Sequence, residues 1–165
     1  MSPPFSMEIE TESRELANAG ERASAEMSRE VARFARRAQR ALGLRGEIGI
    51  LLTSSAAVRR LNRQFRKKDK TTDVLSFPAA NGEMAGDIAI ALPVAAAQAR
   101  RFGHALRDEV KLLVLHGLLH LAGYDHEQDG GRMARKEEKL RRMLALPGGL
   151  ILRKHARRSN ASNSA

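Results

Sequence analysis

Between Val110 and His126 the chain reads VKLLVLHGLLHLAGYDH, and no other stretch limits its folding as strongly. The first half is mostly apolar and belongs in an interior, yet the stretch carries three of the chain's five histidines. His116 and His120 stand four apart, so on a helix they share one face, separated by about 6 Å of rise. Gly123 suits a left-handed helix end, after which the chain can fold back and bring His126 to the same point. Two imidazoles on so apolar a helix leave four ring nitrogens to satisfy, and buried polar groups without partners are costly. A shared divalent ion meets that demand. Three neutral histidines on tetrahedral zinc leave a fourth position for water, the arrangement of a catalytic rather than a structural site.

The histidine spacing repeats the metalloprotease pattern H-E-x-x-H-x-x-G-x-x-H at every position but one. Gly117 stands where the glutamate would be. That glutamate is the general base of peptide hydrolysis, so its absence argues against a peptidase. Zinc alone still lowers the pKa of a bound water to near neutrality, which leaves other hydrolytic chemistry open.

Charge indicates what such a site would meet. The net charge is +10 and is unevenly placed. Residues 1–30 carry seven Glu against three Arg. Arg59, Arg60, Arg63, Arg66, Lys67, Lys68 and Lys70 face only Asp69, and residues 132–158 carry ten Lys or Arg against Glu137 and Glu138. Such a field favours polyanions, of which RNA is the most abundant in a cell. Arg59, Arg63, Arg66, Lys67 and Lys68 are the expected RNA contacts. One Tyr, five Phe and no Trp argue against a stacking platform and for contacts to phosphate. The absence of cysteine excludes a disulfide framework, leaves His, Asp and Glu as metal ligands, and fits a reducing cytoplasm. No apolar run approaches the roughly 20 residues of a membrane span. The acidic start MSPPFSMEIETES lacks a signal-peptide pattern, so a cytoplasmic protein without a membrane partner is expected.

Length predicts one domain, residues 1–150, followed by a basic, disordered tail over 151–165. Alternation of Phe5, Met7 and Ile9 predicts a first strand over 5–11. Leu16–Leu42 reads as a helix stopped by Gly43, and Glu47–Thr53 as a strand rich in Ile and Leu. Ser54 or Ser55 caps the next helix, with Val58, Leu61 and Phe65 inward and arginines outward. Asp73–Pro78 and Gly86–Leu92 read as strands of a hairpin around Asn81-Gly82. A helix from Pro93 to Arg101 ends at Gly103, with His104 beside it. The metal helix spans Arg107–Ala122, with Asp108 and Glu109 suited to its N-terminus. A last amphipathic helix spans Gln128–Leu146, with Met133, Leu140, Met143 and Leu144 inward, before Pro147-Gly148-Gly149. The pattern predicts an α+β fold with helices packed on a small mixed four-stranded sheet and a central apolar metal-binding helix.

HGLLHLAGYDH resembles the signature of the YbeY family, bacterial endoribonucleases of ribosomal RNA maturation. LNRQFRKKDKTTDVLSFP (Leu61–Pro78) and GDIAI (Gly86–Ile90) are similar to that family as well, and Met133 to Glu137 is a weaker echo. The likeness runs over roughly residues 47–145; it departs at TSSAA (Thr53–Ala57), where family members often carry acidic residues, and in the long tails.

The resemblance implies one zinc ion per chain on His116, His120 and His126, with His116 and Arg66 essential to catalysis. An arginine beside the metal could hold the scissile phosphate and offset charge on its oxygens. Asp125 is placed to hold the second nitrogen of an imidazole, and Asp73 and Asp87 to cap strands or orient ligands. The implied activity is single-strand-specific cutting in 3′-end maturation of small-subunit ribosomal RNA and in ribosome quality control. Implied partners are ribosomal RNA, the small subunit, one of its proteins and an assembly GTPase. Two other readings compete: a ribosome-assembly factor whose zinc serves only the fold, and a metallopeptidase.

Overall fold

A computed structural model describes residues 5–80 and 83–147. In chain order they form α1 (Phe5–Leu42), β1 (Glu47–Thr53), α2 (Ser55–Arg66), β2 (Val74–Pro78), β3 (Met84–Ala91), α3 (Leu92–Phe102), α4 (Leu106–Leu121) and α5 (Arg132–Met143). The chain divides after Arg33 into two units, Met1–Arg33 and Phe34–Ala165.

The first unit, as far as it is described, is helix. The strand expected over residues 5–11 is therefore corrected. Glu and Met are strong helix formers, and no Pro or Gly interrupts the sequence between Phe5 and Gly20, so helix propagates through the alternating residues. The sheet accordingly has three strands among the described residues, not four.

In the second unit β3 is the central strand, parallel to β1 and antiparallel to β2. The mixed sheet and the hairpin thus match expectation, although Asn81 and Gly82 themselves lie outside the described residues. So do Gly148, Gly149, His155 and the basic tail. Strand alternation divides the sheet residues between two helices. Ser76 and Ile88 face α4: the Ser76 hydroxyl donates to the Gly117 carbonyl, and Ile88 packs beside Gly117. Leu75, Ala89 and Ala91 face the other way and form a core with Val58 of α2.

Residues 109–119 of α4 are almost all buried, so this helix is the centre of the α+β fold, as expected. Each fully buried Leu contributes about 1.5–3 kcal/mol, which anchors the helix but makes every polar group on it need a partner. Glu109, in the first turn of α4 as expected, is fully buried and accepts from His104 just past α3. α5 packs on α4 through Met133 and Leu140. It is shorter than expected because Asp129 accepts from the backbone N–H groups of Gly131 and Met133, which fixes the start at Arg132. Met143, expected inward, is exposed in the last turn.

α2 starts as expected, with the Ser54 hydroxyl accepting from the Ala57 N–H. Val58 is buried, but Phe65 is 60% exposed rather than inward. The helix face is as predicted; its last turn is simply not covered.

Candidate metal centre and cleft

α4 can press against the sheet because residue 117 has no side chain. A Cβ there would stand 2.9–3.1 Å from three carbons of Ile88. This close approach turns residue 117 toward β3, while His116 and His120 share another face of the helix. α4 ends with the Gly123 N–H on the His120 carbonyl, and Gly123 adopts φ +94°, a conformation that side chains disfavour. The chain then reverses through a turn in which the Asp125 carboxylate accepts from the Glu127 N–H. His126 thereby returns to the other two histidines.

The three ring centroids lie 4.8, 5.4 and 5.5 Å apart. One ring nitrogen from each histidine lies within 4.8 Å of the others, a group able to hold a metal ion. His116 Nδ1 donates to the Glu137 carboxylate at 3.0 Å, and both residues are 2% exposed. His120 Nδ1 donates to the Tyr124 carbonyl, also at 3.0 Å. These acceptors put the ring protons on Nδ1 and leave the two Nε2 lone pairs facing each other at 3.2 Å. Two lone pairs in that position repel unless a cation lies between them. A tetrahedral zinc with bonds of about 2.0–2.1 Å requires a ligand separation close to that distance. Burial, reinforced by the neighbouring rings of His116 and His126, pushes the pKa of His120 down to about 4, against weaker upward pulls from the Tyr124 carbonyl and Asp125. Its Nε2 therefore remains unprotonated at neutral pH, as a ligand must. The donor set fits a metal held by three imidazoles.

The histidines form one wall of a cavity of about 550 Å³. Arg66, Lys68 and Lys70 line it from the other side, with Asp125 and Glu127 at its rim. The basic wall is positioned by Asn62. Lys67 closes α2 in a left-handed turn, the Lys68 N–H donates to the Asn62 carbonyl, and the Asn62 side-chain amide donates to the Lys70 carbonyl at 2.8 Å. Arg66 Nη2 donates to the Ser76 carbonyl at 2.9 Å, which ties its guanidinium to β2.

Residues 8–145 match the family model described as Endoribonuclease YbeY. The chain belongs to the YbeY family. Curated relatives of that name include those of Koribacter versatilis, 53% identical over 120 residues (73% of this chain, 79% of the relative), and Solibacter usitatus, 54% identical over 123 residues (74% and 83%). The solution structure of TM1509 from Thermotoga maritima is similar with a TM-score of 0.55 and 27% identity, covering 86% of this chain and 90% of that one.

Within this YbeY-family chain, the residues singled out from sequence separate into groups. His116, His120, His126, Arg66 and Lys68 come together around one cavity. Arg63 and Lys67 are exposed but do not line it. Arg59 is also outside it and is engaged by Asp69, with N–O distances of 2.7 and 3.0 Å. The second nitrogens of His116 and His120, considered for Asp125, are held by Glu137 and the Tyr124 carbonyl. Asp73 is structural: its carboxylate accepts from the Val74 N–H and from the Gln98 side chain of α3. Sequence reasoning missed Lys70, Asn62 and Ser76. Glu137 surfaced only as an acidic residue of the basic stretch 132–158 and as the end of the Met133–Glu137 echo, although a buried-face Glu at helical spacing from Met133 and Leu140 was a usable signal.

Proposed function

We propose that this protein is a zinc-dependent, single-strand-specific endoribonuclease that acts in 3′-end maturation of small-subunit ribosomal RNA and in ribosome quality control. The observation that carries this reading is the cavity itself: three histidines suited to one cation on one wall, three cations on the other. The name shared by its curated relatives, Endoribonuclease YbeY, supports the nuclease class. Ribosomal RNA, the small subunit, one of its proteins and an assembly GTPase are the partners we assign, and the cytoplasm the compartment.

His116, His120 and His126 would hold the metal, which when bound supplies Lewis-acid charge at the reacting phosphate. Around it the chain's own residues bind and orient. Glu137 and the Tyr124 carbonyl fix two rings so that their Nε2 atoms aim into the cavity. Arg66 uses one N–H to anchor itself on Ser76 and keeps further donors for phosphate oxygens. Lys68 and Lys70 neutralise flanking phosphates. A peptidase base has no room at position 117, since Ile88 occupies the space.

The test is cleavage of precursor ribosomal RNA by metal-loaded protein, with elemental analysis of the same sample. His116→Ala is expected to lose metal and cleavage together. Arg66→Ala is expected to keep the metal and lose cleavage. Variants that both cut like the parent would overturn the assignment. A large fall in thermal stability on chelation, with no cleavage by the loaded parent, would favour an assembly factor with structural zinc.

A further inference from the structure

The three residues α2 places inward by sequence behave differently. Val58 is fully buried, Leu61 is half-buried, and Phe65 is 60% exposed. A large exposed aromatic beside a cationic wall calls for an explanation, because this chain has only six aromatic residues. Phe65 sits over Phe77 of β2, ring centroids 5.3 Å apart and tilted by 59°. The two rings border a second cavity, about 830 Å³, on the α2 side of the sheet, whose other walls include Leu51, Leu61 and Asp87. Arg66 and Ser76 line this cavity and the metal cleft alike, so the two are continuous across one guanidinium.

We propose that this groove is a nucleobase subsite for the RNA strand whose phosphodiester lies in the metal cleft. The proposal rests on the endoribonuclease reading and extends it from phosphate contacts to base recognition. An exposed phenyl face stacks on any base. Asp87 sharpens the choice. It is an exposed carboxylate, and it reaches across β1 because residue 49 is glycine; a Cβ there would collide with Asp87 Oδ1. A carboxylate repels phosphate and accepts from base N–H groups. The groove therefore takes a base inward while the phosphate stays at Arg66. Guanine suits Asp87 best, since its ring N–H and amino group lie side by side and can both donate to one carboxylate. Uracil offers a single donor. An apolar peptide is the competing occupant, but the Asp87 side chain within the groove and a shared arginine at its end favour a base.

The test uses the full-length protein and a short single-stranded RNA carrying 2-aminopurine, mixed rapidly so that binding is read before cleavage. The parent is expected to quench the probe as the base stacks. Phe65→Ala is expected to abolish quenching and weaken binding about tenfold. Phe65→Tyr should retain both, whereas Phe65→Leu, apolar but without a ring, should behave like the alanine variant. Asp87→Asn should reduce the preference for guanine over uracil at that position. Phe65 is exposed, so an unchanged melting temperature is expected for its variants. Parent-like binding and quenching by Phe65→Ala, with RNA still cut, would overturn the subsite alone. A Phe65→Leu protein that binds RNA as tightly as the parent would assign the groove to apolar docking. A parent that bound no RNA would remove both readings.

Discussion

The two walls of the metal cleft are built by opposite means. The histidine wall stands on a helix buried on nearly every side, and the far nitrogens of His116 and His120 are held by acceptors 3.0 Å away. The cationic wall is the exposed end of α2 and the loop behind it, where Arg66 is tied by one bond to Ser76. The first wall is preorganised and should fail abruptly when a support is removed. The second is adaptable and should weaken in small, salt-sensitive steps. The difference suits a site that must hold a metal in one geometry and a flexible polyanion in several.

The largest effect should come from the hidden support of the rigid wall. Glu137→Gln keeps the size of the side chain but removes the charge that orients His116. Loss of such an outer partner typically costs 10–100-fold in metal affinity, and a chelator-competition titration would read it. A change below twofold would mean that α4 alone fixes the ring. The neighbouring Glu138 is the internal control. It faces Arg141 and Arg142, whose hydrogen bonds hold its carboxyl down at about 2, so Glu138→Gln should leave metal affinity unchanged.

Next in size is the packing that sets the histidine helix against the sheet. Gly117→Ala places a methyl group within 2.9–3.1 Å of Ile88. Overpacking of this kind costs about 1–3 kcal/mol, measurable by chemical denaturation. Ile88→Ala should partly relieve it, so the double variant should be more stable than the sum of the single losses implies. Additivity would show that residue 117 does not limit the approach of α4.

The contrast between the walls also explains what was legible in the sequence. His116 and His120 lie on one helix and His126 follows a glycine turn, so local spacing was enough to group them. β1 was read with its observed bounds because its flanks carry clear stop signals. Glu137 lies 21 residues from His116, and no local period links them. The exposure of Phe65 was illegible for another reason: periodicity tells which face of α2 is apolar, not how far the covering layer extends. The positive run from 59 to 70 offered Arg59, Arg63, Arg66, Lys67 and Lys68 alike as RNA contacts, but Asp69 engages Arg59, and the left-handed turn at Lys67 leaves Lys68 and Lys70 in the cleft. The helix over residues 5–11 was missed because three alternating apolar residues are too short a signal to outweigh the helix-forming sequence around them.

The smallest expected effect tests the adaptable wall. Lys70 lines the cleft, and its contribution to the fold runs through its backbone carbonyl, which Asn62 holds. Lys70→Ala should therefore leave stability and metal content as in the parent while removing one charge that neutralises phosphate. For a single strand, each phosphate left without its cation lowers the slope of log affinity against log salt by about 0.7. Binding of a short RNA, followed by anisotropy from low to moderate salt, should give that shallower slope and a severalfold weaker complex at low salt. The two proteins should converge as salt rises. An unchanged slope would place the RNA backbone away from Lys70 and leave Arg66 and Lys68 to form the cationic wall. A loss of metal would show that the two walls are mechanically coupled, contrary to their separate construction.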